Sequence, residues 1–320
     1  MLTASPMFVA WNYTYACNFN CIHCYSRARS YPRELDTADY RAIADQLADV
    51  GVLRVGLGAG EPMIRRDYLE ILARMADRYI DTYMTTNGWF LTDEAAKRLV
   101  DAKLGALFVS LDASTAAAHD EFRRRSGSFD RVVSGMKAAV EAGLKVKLST
   151  VITTANFHDL PKIVTVAEQC GIEGIAFNRF RPVGNGHATA DILSLRGGQE
   201  RGVQSLVAEL NANSPLDIAL WYNAEEDGGI DHGCRCGIRS LTLRPNGDIA
   251  PCGFAGIVIG NMKKDNIGNL WRESPVLARM RAGARACAGL KPDKSPLGEG
   301  YAPPPRRRNL PTSSAPLKNT

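Results

Sequence analysis

Cys17-Asn18-Phe19-Asn20-Cys21-Ile22-His23-Cys24 places three cysteines in a C-x3-C-x2-C run, directly after the apolar, aromatic stretch Met7 to Tyr15. Three thiolates on one short loop can hold three irons of a [4Fe-4S] cluster, leaving the fourth iron without a protein ligand and open to a small molecule. An electron-transfer cluster would take a fourth cysteine. A zinc ion would take paired C-x2-C units or a nearby His pair, whereas here a single triplet is followed by a cysteine-free stretch from Ser26 to Gln169.

The surrounding composition is that of a globular chain. With 320 residues, 45% hydrophobic and 23% charged, there is enough chain for one large domain, or one plus a small appendage. No secretory segment with a cleavage site and no apolar stretch long enough to span a bilayer is present, and the core is too large to need disulfide staples. Together these point to a reducing cytoplasm. The net charge is only +5, partly from Arg306, Arg307 and Arg308 in a Pro-rich tail. Without a basic stripe interleaved with aromatics, neither a nucleic-acid nor a membrane partner is expected. The other basic run, Arg123-Arg124-Arg125, reads as a solvated helix end.

Periodicity divides the first 180 or so residues into repeated units of a short apolar strand and an amphipathic helix. Strands are expected near Phe8 to Tyr15, Leu53 to Leu57, Thr82 to Thr86, Ala106 to Leu111, Lys145 to Ile152 and Gly174 to Phe180. Helices are expected near Thr37 to Val50, Asp67 to Arg78, Asp93 to Ala102, Phe129 to Ala142 and Leu160 to Cys170. Thr37 and Thr92 read as N-caps, and Gly51, Gly143 and Gly171 as the left-handed residues that end helices. Such units build a parallel sheet with ligand-binding loops at the C-terminal strand ends. Periodicity alone does not separate a partial barrel from an open doubly wound sheet.

The cysteine run and its place after the first strand resemble the signature of the radical S-adenosylmethionine (radical SAM) enzymes, in which the open iron chelates the amino and carboxylate groups of SAM. The resemblance implies Cys17, Cys21 and Cys24 as the cluster ligands, and puts His23 where the family has an aromatic residue near the adenine. It also implies an α/β fold: a partial (β/α)6 TIM-like barrel with a small C-terminal β-hairpin and helix extension. Gly58-Ala59-Gly60-Glu61-Pro62 is similar to the family's GGEP motif, whose backbone receives the methionine amino group, with Ala59 in place of the first glycine. Thr85-Thr86-Asn87-Gly88 matches its TNG-type turn. Ser110-Leu111-Asp112 matches an SxD pattern whose side chains reach the SAM ribose or carboxylate. On this resemblance Ala59, Gly60, Glu61, Pro62, Thr86, Asn87, Ser110 and Asp112 join His23 as expected SAM contacts.

Cysteine returns after the βα rhythm stops near Gly184. Cys234-Arg235-Cys236 precedes a hairpin-like segment, Ile238 to Ile249, whose Pro245-Asn246-Gly247-Asp248 is a type I′ or related turn signal. From Cys236 to Cys252 the chain reads C-x10-G-x4-C, which resembles the opening of the SPASM and Twitch extensions that carry auxiliary iron-sulfur clusters. With Cys287 as fourth ligand, the resemblance implies one auxiliary cluster on Cys234, Cys236, Cys252 and Cys287, as [4Fe-4S] or [2Fe-2S]. A full SPASM element continues with further closely spaced cysteines, and none occurs from Lys291 to Thr320. Structural zinc is the alternative for these four positions. Cys170 reads as a buried apolar filler. The expected domains are a radical SAM core over residues 1–184, a SPASM/Twitch-like extension over 185–287 and a low-complexity, disordered tail over 288–320.

The function implied is that of a radical SAM enzyme: reductive cleavage of SAM to a 5′-deoxyadenosyl radical, which abstracts hydrogen from a substrate carbon in natural-product, peptide-modification or cofactor biosynthesis. The implied partners are a small-molecule or peptide substrate and an external one-electron donor such as flavodoxin or ferredoxin. Substrate-specific catalytic residues are not identifiable from the sequence. The contrasting possibility is a non-catalytic iron-sulfur or zinc-binding module.

Overall fold

A computed structural model of the chain describes residues 3–26, 33–221, 236–254 and 256–282. Seven strands run parallel and neighbour one another in chain order: Phe8–Thr14 (β1), Arg54–Ala59 (β2), Asp81–Thr86 (β3), Ala106–Ser110 (β4), Val146–Ile152 (β5), Gly174–Arg179 (β6) and Asp217–Trp221 (β7). The helices between them are Thr37–Asp49 (α1), Tyr68–Asp77 (α2), Asp93–Asp101 (α3), Ala116–Arg123 (α4), Ser128–Glu141 (α5), Leu160–Gln169 (α6), Asn185–Ala188 (α7), Ala190–Leu193 (α8) and Gly198–Asn213 (α9). The first six strands and five of the helices fall where the periodicity put them, and α4, α7, α8, α9 and β7 are additions.

The strand alternation explains the layering. Val9, Trp11, Val55, Leu57, Met84, Leu107, Val109, Val146 and Leu148 share one face and pack against Ile43, Leu47, Leu72, Met75, Leu99 and Met136 of the helices. Residues of the opposite parity line the barrel interior. At its N-terminal end this interior is closed by Phe8 stacked on Tyr83 at 5.9 Å, with Tyr83 edge-on to Phe108 at 5.2 Å. Nearer the C-terminal ends the interior positions become small or polar: Asn12 opposite Gly58, Thr85, and Ser110 opposite Ser149, with Asn178 donating to the Ser149 hydroxyl at 3.1 Å. Hydrogen-bonding groups therefore lie at the end where βα loops build sites.

The later chain joins this sheet. Ser240–Leu243 (β8) pairs parallel with β1, and Asp248–Ala250 (β9) and Gly260–Asn261 (β10) continue antiparallel, so that one ten-stranded sheet runs β10-β9-β8-β1-β2-β3-β4-β5-β6-β7. The expected hairpin is present, but its turn is not type I′. Pro245 at the first central position holds a negative φ that type I′ forbids, and only Gly247 takes the left-handed conformation. The segment ends in Ile267–Glu273 (α10) and Pro275–Arg281 (α11). Buried Trp271 fastens it, donating to the Thr3 carbonyl at 2.9 Å beneath the Arg281 guanidinium.

Two local expectations change. The α1 N-cap is Asp36, whose side chain accepts from Asp39 N, because Thr37 instead donates to Asp67 at 2.8 Å. Thr92 caps α3 as expected, and Gly51, Gly143 and Gly171 all have positive φ. The tail beyond residue 282 lies outside the described residues.

Candidate active site

The cysteine loop is fastened from several neighbouring loops, each at the C-terminal end of a strand. After β2, Gly60 N donates to Thr14 O at 2.8 Å and Glu61 N to Ala16 O at 2.9 Å. A Cβ on Gly60 would lie 2.2 Å from Ala16 O, so only glycine lets these backbones meet. Before it, Ala59 stands at φ +86°, a left-handed conformation costing a side-chain-bearing residue on the order of 1 kcal/mol. Its carbonyl accepts from the Ser26 hydroxyl at 3.2 Å.

Glu61 ties the second loop to the third. Fully buried, its carboxylate accepts from Thr86 Oγ1 at 2.9 Å, Asn87 N at 2.7 Å and Met63 N at 3.1 Å. Burial pushes its carboxyl up to about 7, against the opposing effect of those donors. Asn87 in turn donates to Asn18 Oδ1 at 2.8 Å and reaches Cys17 Sγ at 3.8 Å. Pro62 starts the short turn that follows. The acid of the GAGEP stretch is thus a brace between loops.

Beyond β4, Asp112 buries its carboxylate. Oδ1 accepts from Val151 N at 2.8 Å and Oδ2 pairs with Arg123 Nη2 at 2.6 Å, with side-chain exposures of 0% and 8%. Ser110, two residues earlier, keeps the inward parity and stands beside Ser149. Arg123 was read as part of a solvated basic run, and that reading is corrected: its other nitrogen, Nη1, lies 3.9 Å from Cys21 Sγ. A buried guanidinium needs a buried counter-charge, and Asp112 supplies it. The run divides three ways, since Arg124 ends α4 at φ +52° and Arg125 stacks on Trp89 at 4.0 Å. His23 stacks on Phe122 of α4 at 4.5 Å, and burial lowers its imidazole to about 4.

Residues beyond β6 close the loop's far side. Asn185 N donates to Cys24 O at 2.8 Å and its side chain to Cys21 O at 3.1 Å, while Thr189 donates to Ile22 O at 3.1 Å. Sequence spacing singles out none of these residues. The Cys17, Cys21 and Cys24 sulfurs are close enough for Cys21 to sense both neighbours, and burial raises Cys17 and pushes Cys21 up to about 11. Among the described residues no three His, Cys, Asp or Glu side chains converge on a single ion. A cubane cluster does not require that, since each thiolate binds its own iron.

In the extension, Cys236 is half-buried and Cys252 buried; Cys234 and Cys287 lie outside the described residues. The two cysteine-bearing regions touch through Tyr25, next to Cys24, and Phe254, two residues past Cys252, whose rings meet edge-on at 5.1 Å.

Gly60→Val bears on how these loops work. The close approach is to the backbone feeding the cysteine loop, so the variant is expected to lose iron from that loop together with SAM affinity. A variant that keeps its iron and loses only SAM affinity in equilibrium binding would place Gly60 against the ligand instead.

The chain thus presents a parallel sheet with a three-cysteine loop braced at the C-terminal ends of its strands. The chain belongs to the radical SAM superfamily. Residues 11–167 match the Radical SAM superfamily, and residues 234–291 match the iron-sulfur cluster-binding domain called SPASM. It is 31% identical over 288 residues to mycofactocin maturase MftC of Mycobacterium tuberculosis strain H37Rv, covering 87% of this chain and 73% of that one. To the AdoMet-dependent heme synthase of Methanosarcina barkeri it is 26% identical over 302 residues, covering 88% and 86%. Its fold is similar to Streptococcus suis SuiB bound to S-adenosylmethionine, with a TM-score of 0.76 at 20% identity over 88% of this chain and 69% of that one. SuiB has also been solved bound to its precursor peptide SuiA. The chain is therefore a radical SAM enzyme that uses a [4Fe-4S] cluster and SAM, with an auxiliary iron-sulfur cluster in its SPASM domain. Among the described residues no helix is long and apolar enough to cross a membrane.

Proposed function

We propose that Cys17, Cys21 and Cys24 carry the SAM-binding cluster, and that the loops at Ala59–Pro62, Thr86–Asn87 and Ser110 form the wall against which SAM is held. One observation carries this reading: N–H donors face two of the three sulfurs. Cys17 Sγ faces Phe19 N at 3.4 Å and Asn87 Nδ2 at 3.8 Å, Cys21 Sγ faces Arg123 at 3.9 Å, and Cys24 Sγ lies 3.3 Å from the Ser26 hydroxyl. Donors aimed at sulfur suit thiolates bound to iron. Bound there, the cluster and SAM supply a 5′-deoxyadenosyl radical that takes a hydrogen atom from a substrate carbon.

The chain's own residues orient and enclose. Glu61 holds Thr86 and Asn87 at fixed positions beside Cys17. His23 on Phe122 gives the loop a flat ring surface of the kind an adenine stacks on. Asp112, with its carboxylate committed to Arg123, acts by holding that residue, and Ser110 is left as the member of the SxD pattern placed to meet SAM. Burial keeps Cys17 and Cys21 protonated at neutral pH in the metal-free loop, so cluster loading must displace those protons.

The substrate enters at the barrel mouth, beside the neutral polar positions Asn12, Thr85, Ser149 and Asn178. A peptide or cofactor precursor, in natural-product or cofactor biosynthesis, is in keeping with the maturase and synthase relatives. An external one-electron donor such as flavodoxin or ferredoxin reduces the cluster. A reducing cytoplasm suits thiolate ligation of iron-sulfur clusters. Cys234, Cys236, Cys252 and Cys287 hold the auxiliary cluster. Anaerobic protein reconstituted with iron and sulfide is expected to form 5′-deoxyadenosine from SAM only when a reductant is present. A colourless, zinc-loaded protein without that activity would overturn the reading.

A further inference from the structure

We propose that Arg123 and Asp112 form a buried charge pair that sets the midpoint potential of the cluster on the cysteine loop, Arg123 acting on the Cys21 sulfur and Asp112 as its counter-charge. The inference rests on the reading of Cys21 as a cluster ligand. Arg123 is a positioning and tuning residue, with Nη1 at 3.9 Å from Cys21 Sγ and Nη2 at 2.6 Å from Asp112 Oδ2.

The pair is held rigidly on both sides. Asp112 is fixed by Val151 N at 2.8 Å, and its own N–H donates to His119 Nδ1 at 3.2 Å, which docks α4 against β4. Phe122 O accepts from Ile22 N at 3.2 Å, joining the same helix to the cysteine loop. The other titratable groups that feel the guanidinium are Glu61, held by its own three donors, and the imidazoles of His23 and His119. Arg123 is thus largely withdrawn from water, and Asp112 is the carboxylate in direct contact with it.

Reduction adds one electron to the cluster, with no bond formed or broken, so its free energy is sensitive to fixed charge nearby. Hydrogen bonds to the sulfurs and net charge are among the factors that set such potentials, and a low-dielectric surrounding leaves them poorly screened. Here the two charges form a dipole whose positive end points at Cys21. Removing Arg123 leaves the Asp112 carboxylate to oppose electron entry, whereas neutralising Asp112 leaves the guanidinium unopposed. Opposite shifts are therefore expected from the two members of one contact, which a purely structural role would not produce.

The test is a dithionite titration, monitored by electron paramagnetic resonance, of the reconstituted full-length enzyme and its Arg123→Met, Arg123→Lys and Asp112→Asn variants. The signal followed is the one missing from the variant lacking all three of Cys17, Cys21 and Cys24. Iron content should match the parent in every variant. In Arg123→Met the ratio of reduced to oxidised cluster at a given potential should fall at least tenfold, a midpoint at least 59 mV more negative. It should rise in Asp112→Asn, and Arg123→Lys should lie nearer the parent than Arg123→Met. Midpoints that move the same way in Arg123→Met and Asp112→Asn, or do not move, would overturn the proposal. If Asp112→Asn does not accumulate folded, the Met and Lys variants decide: Lys no closer to the parent than Met, or iron lost from Met and kept by Lys, overturns it. A triple variant that keeps every cluster signal would instead overturn the assignment of Cys21 as a ligand.

Discussion

Replacing Cys17, Cys21 and Cys24 together by alanine is expected to abolish SAM cleavage and remove about half the iron, while one cluster signal survives in the electron paramagnetic resonance spectrum. The reasoning is topological. The three thiols sit on a loop after β1, and Cys236 and Cys252 flank β8 and β9 on the other side of that strand, so each set can be emptied separately. Replacing Cys236 and Cys252 should do the converse: SAM is still cleaved, slowly and without coupling, while product formation falls. Tyr25 and Phe254 are the contact through which the two regions meet, and removing the late cysteines leaves the first loop's braces at Glu61, Asn87 and Asn185 untouched. Full iron in the early variant, or full product from the late one, would sink the two-cluster assignment and leave structural zinc as the account of the late cysteines.

Glu61→Ala should be the most damaging single change outside the cysteines. It leaves Thr86 Oγ1, Asn87 N and Met63 N buried without their acceptor, and at about 1–3 kcal/mol for each orphaned donor the loss is at least about 3 kcal/mol. Cluster content should fall with it, because Asn87 then loses its fixed place beside Cys17. The parent protein also carries a pH signature. With the carboxyl raised from 4.5 to about 7 by burial, the folded state binds the proton more tightly than the unfolded state. The stability gained this way is complete below pH 4.5 and is lost as pH rises through about 7. Urea midpoints of metal-free parent and Glu61→Gln should therefore diverge with pH across that window, the parent losing ground to the variant. Parallel curves from pH 4.5 to 8 would show that Glu61 is not the titrating group.

Much of the scaffold was readable one residue after another. The 2.0 and 3.6 periods of apolar residues located six parallel strands and five helices, because each element must bury one face against the next. The cysteine spacing, the GAGEP stretch and the TNG turn announced their chemistry because those are contacts within a few residues or backbone conformations tied to particular side chains. The structure adds contacts that spacing does not show: Gly60 packs on the carbonyl of Ala16, and Glu61 holds the loop after β3.

Nothing in Arg123-Arg124-Arg125 separates the first arginine from the other two, and three adjacent cations on a helix end prefer water. What buries Arg123 is a carboxylate eleven residues earlier and a thiol 102 residues earlier, brought to the same point when α4 packs on the cysteine loop. The pairing of β8 with β1 is of the same kind, linking Phe8 to Ser240. Spacing and periodicity located the elements, and a family resemblance singled out the cysteines proposed to carry the cluster. Only the tertiary structure decided which charge meets which sulfur, because a buried ion is tolerated solely where the fold supplies its partner.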